Sequence, residues 1–171
     1  YREVIVTLIT QHRGRVVDTP GDNLLAEFVS VVDAVQGAVA IQRELKNYNA
    51  DLPAPRRMEF RIGINLGDVI VEGERIYGDG VNIAARLEGL ADAGGICIAG
   101  NVHDQVETKL GSLGVVYECL GEQTVKNITR PVLAYRVLLE PETVPMGKGK
   151  SEDTSPLQLP QLETLSDKPS I

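Results

Sequence analysis

Two groups of polar residues in this 171-residue sequence could act on a phosphorylated substrate. The first is Asp22, which stands in the turn-forming run 19–23 between two short apolar runs. This pattern predicts a hairpin with an acidic tip. A carboxylate at a tight tip beside a glycine could approach a hydrated divalent cation and phosphate oxygens. On the residues alone an ordinary turn is the simpler interpretation, because aspartate favours turns for local hydrogen-bonding reasons.

The second group is Asn82 and Arg86, which are four residues apart in a stretch with helical spacing. That spacing places an amide and a guanidinium side by side on one helix face. The pair could orient a hydroxyl group and neutralise a phosphate. The alternative is a polar helix face on which Arg86 pairs with a nearby carboxylate, and spacing alone favours that alternative.

The elements that must position these residues alternate between helices and strands. A helix-like opening is followed by the predicted hairpin, and then by a helix capped by Ser30 that continues to a break at 47–55. Residues 59–66 alternate with a period of two and predict a strand, which we expect to form a second hairpin with 69–71. Asp79 is expected to cap the helix that carries Asn82 and Arg86. Further strands are predicted at 96–99, 115–120 and 133–139. This order predicts an α+β fold, a mainly antiparallel sheet with helices packed on it.

Composition excludes several classes of function. The formal net charge is −7, the sequence pI is about 4.9 and only 4% of residues are aromatic. These values argue against binding to nucleic acid or to an anionic membrane, and they disfavour an RNA-binding ferredoxin-like domain. No apolar run has the length of a membrane helix. Cys97 and Cys119 both lie in apolar runs, so we expect core cysteines of a reducing, cytoplasmic compartment.

The last part of the sequence differs from the rest. Five of the nine prolines lie beyond Glu140, among serine, threonine, lysine and acidic residues without a sustained period. We therefore expect a domain at 1–139 and a linker or unfolded tail at 140–171 that leads to a further domain.

Four segments in the same order resemble the catalytic domain of class III adenylate and guanylate cyclases. They are 15–28, 60–68, 76–88 and 121–131. Together they are a specific signal, although each alone is weak. The resemblance implies the ferredoxin-like fold of nucleotide cyclases, without the strand that carries the first metal-binding aspartate. We therefore expect this chain alone to be inactive.

The resemblance also implies a role for individual residues. Asp22 matches the second of two aspartates that hold two Mg²⁺ or Mn²⁺ ions. Asn82 and Arg86 match a pair that reaches the same nucleotide from the partner chain of a head-to-tail homodimer, and Lys126 matches a lysine on the terminal phosphates. The implied reaction is attack of the ribose 3′-oxygen of ATP on the α-phosphorus, which gives cyclic AMP and pyrophosphate.

The resemblance leaves open which base the domain selects. Glu59 and Arg75 fall where animal adenylate cyclases have a lysine and an aspartate, so the charges are exchanged. Arg75 could donate to a ring nitrogen or carbonyl while Glu59 accepts from an exocyclic amine, which could serve adenine or guanine. The alternative is a solvent-facing ion pair. We expect ATP because the surrounding motifs resemble bacterial adenylate cyclases, and we retain as alternatives a guanylate cyclase and a catalytically silent dimerisation module.

Overall fold

The computed structural model describes residues 1–73, 75–126 and 128–139, and for Arg75 the main chain only. The predicted tail at 140–171 lies outside these residues. The helices are α1 (Arg2–Gln11), α2 (Val31–Ala50), α3 (Asp79–Leu90) and α4 (Gly100–Val106). The strands are β1 (Gly14–Asp18), β2 (Leu25–Phe28), β3 (Ile62–Ile64), β4 (Ile70–Glu72), β5 (Arg75–Tyr77), β6 (Ile96–Ala99), β7 (Val115–Gln123) and β8 (Val132–Leu139). The α+β prediction is confirmed.

The main sheet has four strands in the order β3, β6, β8, β7. Strand β8 pairs antiparallel with both β6 and β7, whereas β3 runs parallel to β6. Helix α3 follows β3 along the chain and contacts both β3 and β6, as the crossover between parallel strands requires. Within the described chain β3 has a strand neighbour on one edge only.

Two hairpins stand apart from this sheet. Strands β1 and β2 form the predicted first hairpin, with Gly14 opposite Phe28. The predicted second hairpin is wrong, because 59–66 does not pair with 69–71. Instead β4 pairs antiparallel with β5, and β3 joins β6. The alternation of apolar residues in this segment indicates that one face is buried, and β3 is buried inside the main sheet. The alternation did not indicate which strand pairs with β3.

Helix α2 begins with a buried cap. The Ser30 hydroxyl accepts a hydrogen bond from the Asp33 amide at 3.1 Å and donates to the Asp33 carboxylate at 2.7 Å. Arg13, in a left-handed conformation with φ of 58°, donates to the same carboxylate at 2.5 Å. The hydroxyl of Ser30 and the guanidinium of Arg13 together lower the pKa of Asp33. The α1–β1 turn is thereby tied to the start of α2.

Helix α3 has no side-chain cap. Gly78, with φ of 126°, precedes it, and Asp79 is its first residue and makes no capping hydrogen bond. The expectation that Asp79 caps this helix is wrong. A main-chain bend that only glycine adopts readily starts the helix instead.

The core consists of two apolar clusters. The larger joins α2, α3 and α4 to the main sheet, and its fully buried side chains include Val35, Leu87 and Ile96. The smaller lies between α1 and α2. Phe28 and Ile62 pack against both clusters. Cys97 is buried as expected, but Cys119 is exposed, because the register of β7 shifts between Cys119 and Gly121 and Leu120 packs on the larger cluster instead. Among the described helices none is both long and apolar enough to cross a membrane.

Candidate active site

Asp22 lies at the exposed tip of the β1–β2 hairpin. The turn is closed by the Asn23 amide, which donates to the Pro20 carbonyl at 3.1 Å, and Gly21 adopts a φ of 65°. No hydrogen bond or ion pair to another described residue occupies the Asp22 carboxylate. The tip therefore presents a carboxylate whose oxygens are available to an external cation.

Asn82 and Arg86 are both exposed on α3. The opposite side of the helix is fixed to the sheet by Leu87, which is 1% exposed, and by a close approach to Gly63. The alternative in which Arg86 pairs with a nearby carboxylate is not found in the described part of the chain. The amide and guanidinium thus share one face of a rigid helix and are available to a ligand.

Glu59 is exposed in residues 58–61, the segment that leads into β3. The next side chain, Phe60, packs against the smaller core cluster. Its carbonyl accepts a hydrogen bond from Gln42 of α2 at 2.9 Å, and Gln42 also donates to the Gly95 carbonyl at 3.0 Å. Sequence reasoning missed Gln42 as a structural anchor. The available signal was a polar residue on the apolar stripe of α2.

Arg75 and Lys126 lie on different elements. The main chain of Arg75 pairs with Glu72 in the β4–β5 hairpin. The alternative for this pair was an ion pair between Arg75 and Glu59. It involves the side chain of Arg75, which lies outside the described atoms. Lys126 is exposed in the connection from β7 to β8, directly after the buried Val125.

A cleft of about 770 Å³ lies beside the start of α3, and its lining includes none of the predicted site residues. Asp68, Asp79 and Asp104 are on its walls, and its described lining includes no lysine or arginine. A polyphosphate would be repelled there. The described lining of this cleft thus supplies no cation of its own for a phosphate.

One chain does not by itself assemble a metal centre from its described residues. No three histidine, cysteine, aspartate or glutamate side chains lie together with metal-binding geometry in that part of the molecule. Asp22 is a hard oxygen ligand of the kind that Mg²⁺ and Mn²⁺ accept, but it supplies a single carboxylate. The described residues of one chain therefore do not form a metal site on their own.

The family model described as "Adenylate and Guanylate cyclase catalytic domain" matches residues 3–138. The chain belongs to this cyclase family. The matched residues include all four segments that carried the resemblance, and they end within β8.

Two relatives place the domain more closely within the cyclase family. "Putative adenylate cyclase 3" of Rhizobium meliloti is 44% identical over 132 residues, which are 77% of this chain and 22% of that protein. This chain therefore spans about a fifth of the length of that relative. The crystal structure of an "Adenylate/Guanylate Cyclase/Hydrolase" from Silicibacter pomeroyi is 38% identical, with a TM-score of 0.75, and the match covers 81% of this chain and 79% of that one.

A more distant structure has the same fold. The adenylyl cyclase CyaB from P. aeruginosa is 23% identical, with a TM-score of 0.67 over 83% of this chain and 80% of that one. The architecture described above is therefore that of a cyclase catalytic domain.

Proposed function

We propose that this chain supplies the catalytic domain of an adenylate cyclase that converts ATP to 3′,5′-cyclic AMP and pyrophosphate for signal transduction. The observation that carries the proposal is the pairing of Asn82 and Arg86 on an exposed face of α3, without partners among the described residues, in a chain of the cyclase family. The name of the Rhizobium meliloti relative supports the choice of ATP.

The reaction needs orientation and charge compensation. A bond forms between the ribose 3′-oxygen and the α-phosphorus, the bond from that phosphorus to the bridging oxygen of the pyrophosphate breaks, and the hydroxyl proton passes to solvent. Asn82 orients the ribose, and Arg86 compensates negative charge that develops on the transferred phosphoryl group. Lys126 binds the terminal phosphates. The protein contributes no covalent nucleophile.

Asp22 is the residue of this chain that would hold divalent cations. Two Mg²⁺ or Mn²⁺ ions, when bound, would lower the basicity of the attacking hydroxyl and bind the leaving phosphates. We propose that the remaining carboxylate comes from residues of the complete protein beyond those described, as the resemblance implies.

Glu59 and Arg75 are the proposed contacts to the base. For adenine, Glu59 accepts from the exocyclic amine and Arg75 donates to a ring nitrogen. For guanine, Glu59 accepts from the ring and exocyclic N–H groups and Arg75 donates to the carbonyl. The exchanged charges thus make GTP the second candidate substrate.

A head-to-tail homodimer is the proposed active form. The β4–β5 hairpin supports this, because it projects large apolar side chains into solvent: Ile70 is 61% exposed and Val71 is 57% exposed. Neighbouring strand residues point to opposite faces, so both faces of the hairpin are apolar. Exposed apolar side chains on a projecting hairpin are stabilised by burial against a second copy.

The test uses the complete protein that contains this domain. Cyclic AMP and cyclic GMP are quantified after incubation with ATP or GTP and Mn²⁺ or Mg²⁺. We expect cyclic AMP from ATP, and we expect Arg86→Ala to lower kcat at least about 100-fold, as for loss of a group that compensates transition-state charge. Arg2→Ala, at an exposed position on α1, is the matched control.

Each outcome has a definite meaning. A clear preference for GTP would mean that the domain is a guanylate cyclase, the alternative given above. If the complete, folded, dimeric protein made no cyclic nucleotide, the domain would be a catalytically silent dimerisation module. Equal activity of Arg86→Ala and Arg2→Ala would remove Arg86 from the site.

A further inference from the structure

The segment 58–61, which carries Glu59, runs antiparallel to the end of α2. The chain reverses after Ala50 through a short turn, in which the Arg57 side chain donates to the Leu52 carbonyl at 2.8 Å. Residues 58–61 belong to none of the described helices or strands. Hydrogen bonds to their main-chain groups therefore come from side chains or from solvent.

Two amide side chains of α2 supply these hydrogen bonds. Asn49 donates to the Met58 carbonyl at 2.9 Å and accepts from the Met58 amide at 3.3 Å. Gln42 donates to the Phe60 carbonyl at 2.9 Å. Residues 42 and 49 are seven apart, which is about two helical turns, so both side chains lie on the same face of α2. The main chain is thus held on either side of Glu59.

Gln42 also connects the segment to the main sheet. Its side-chain nitrogen donates to the Gly95 carbonyl at 3.0 Å, and that carbonyl also accepts from the Ile62 amide at 3.1 Å in line with the β3–β6 ladder. Before Ile96 the chain turns away at Gly94, which has a φ of 72°. The side-chain amide of Gln42 therefore adds one hydrogen bond at the end of the β3–β6 pairing, where the two strands separate.

Of the two anchors, Gln42 is buried and Asn49 is half-buried. Gln42 is 4% exposed, and a buried amide keeps its geometry because breaking its hydrogen bonds leaves unsatisfied polar groups. Asn49 accepts a further hydrogen bond of 2.5 Å from the Tyr1 hydroxyl, whose ring packs edge-on against Tyr48. Glu59 itself is exposed between the two anchors.

We propose that Gln42 and Asn49 are positioning residues for nucleotide selection: they fix the main chain on both sides of Glu59 so that its carboxylate meets the base edge in a single position. The inference rests on the proposed function, in which Glu59 contacts the base. Neither amide touches substrate. A side chain that reads hydrogen-bond donors is selective only when its own position is fixed, because a displacement of about 1 Å can cost a large factor in rate or affinity.

The test compares Gln42→Met and Asn49→Asp with Ser30→Ala in the complete protein. Methionine keeps the length of Gln42 without a donor, and aspartate keeps the acceptor of Asn49 but cannot donate to the Met58 carbonyl. Ser30→Ala weakens α2 at its other end and serves as the control for lost stability. We expect both positioning variants to raise KM for the preferred nucleotide roughly tenfold with little change in kcat, and to bring the kcat/KM values for ATP and GTP closer together. Ser30→Ala should change neither.

A double variant isolates the route through Glu59. Once Glu59→Ala has removed the base contact, adding Gln42→Met should cause no further loss of selectivity. Hydrogen exchange gives a readout that does not depend on turnover. The amides of Met58 and Ile62, which donate to Asn49 and to the Gly95 carbonyl, should exchange faster in the positioning variants than in Ser30→Ala. Unchanged exchange, an unchanged ATP-to-GTP ratio, or an equal change in Ser30→Ala would overturn the inference. Failure of the proposed function is distinguishable, because it would appear in the unmodified protein as absence of product.

Discussion

Gly63 of β3 lies directly against the main chain of α3 at Ala84. A β-carbon at position 63 would overlap the carbonyl oxygen of Ala84 and the amide nitrogen of Glu88. Both are main-chain atoms, so no side-chain rotation can relieve the overlap. The absence of a side chain at Gly63 is what lets α3 sit close to the sheet and fixes the height of Asn82 and Arg86 above it.

Gly63→Ala should therefore destabilise the domain more than a typical change of this size. Overpacking usually costs 1–3 kcal/mol, and because main chain must move we expect about 3 kcal/mol or more in the free energy of unfolding by denaturant. Gly89→Ala is the matched control on the same helix, where an added β-carbon meets no atom within 4 Å. It should stabilise by about 0.5–1 kcal/mol. Equal stability of the two variants would contradict this account of the β3–α3 contact.

Asp33 should make stability depend on pH in the acid range. Its folded pKa lies below the unfolded reference of 3.8, so its contribution is complete above that pH and is lost as pH falls through the folded pKa. We expect Asp33→Asn to lower the denaturation midpoint at pH 7, and the difference from the unmodified protein to shrink as the pH is lowered below 3.8. A difference that is constant from pH 7 to pH 2 would mean that the carboxylate does not contribute through its charge.

Complementation between inactive variants tests the composite site. If Asp22 and Arg86 act on the same nucleotide from different copies, Asp22→Ala and Arg86→Ala are each inactive, yet a mixed dimer contains one unmodified site. An equimolar mixture of the complete variants should recover about a quarter of the original activity, since half the dimers are mixed and half their sites are intact. No recovery, with subunit exchange shown by mixed labelling, would place both residues in the same copy's site.

The β4–β5 hairpin should control dimer formation. Ile70→Asp replaces a 61% exposed apolar side chain by a charge and should weaken association at least about tenfold, measured by sedimentation of the complete protein, because burying an unpaired charge is costly. Val116→Asp is the control, since Val116 is 47% exposed on β7, away from this hairpin. If Val116→Asp weakened the dimer as much as Ile70→Asp, the hairpin would not be the interface.

Local patterns predicted the elements better than their pairing. The turn around Asp22, the Ser30 cap and the helix bearing Asn82 were all predicted from neighbouring residues, because turn and cap chemistry is local. The partner of β3 was not, since a period of two indicates which side chains are buried but not which strand lies alongside. Helix α2 was expected to break at Asn47 but continues to Ala50, where contacts of Asn49 with residues 58–61 hold the last turn.

In the candidate site, too, only features that depend on neighbouring residues could be predicted from the sequence. The sequence predicted a turn at Asp22 and a helix with Asn82 and Arg86 on one face, and the structure has both. Spacing alone favoured a carboxylate partner for Arg86, which is not found among the described residues. The sequence could not predict Gln42 as an anchor, because the carbonyl groups it holds come from residues 60 and 95, which are far from it along the chain.

The shared contacts of Phe28 and Ile62 have a mechanical consequence. Phe28 ends the hairpin that bears Asp22, Ile62 continues the segment that bears Glu59, and both pack on the cluster that includes Ile5 and Ile9 of α1. A displacement of α1 would therefore be transmitted both to the hairpin that bears Asp22 and to the segment that bears Glu59. We expect the protection of amides 15–28 and 58–62 from hydrogen exchange to change in parallel when α1 is perturbed. Independent changes would exclude this coupling.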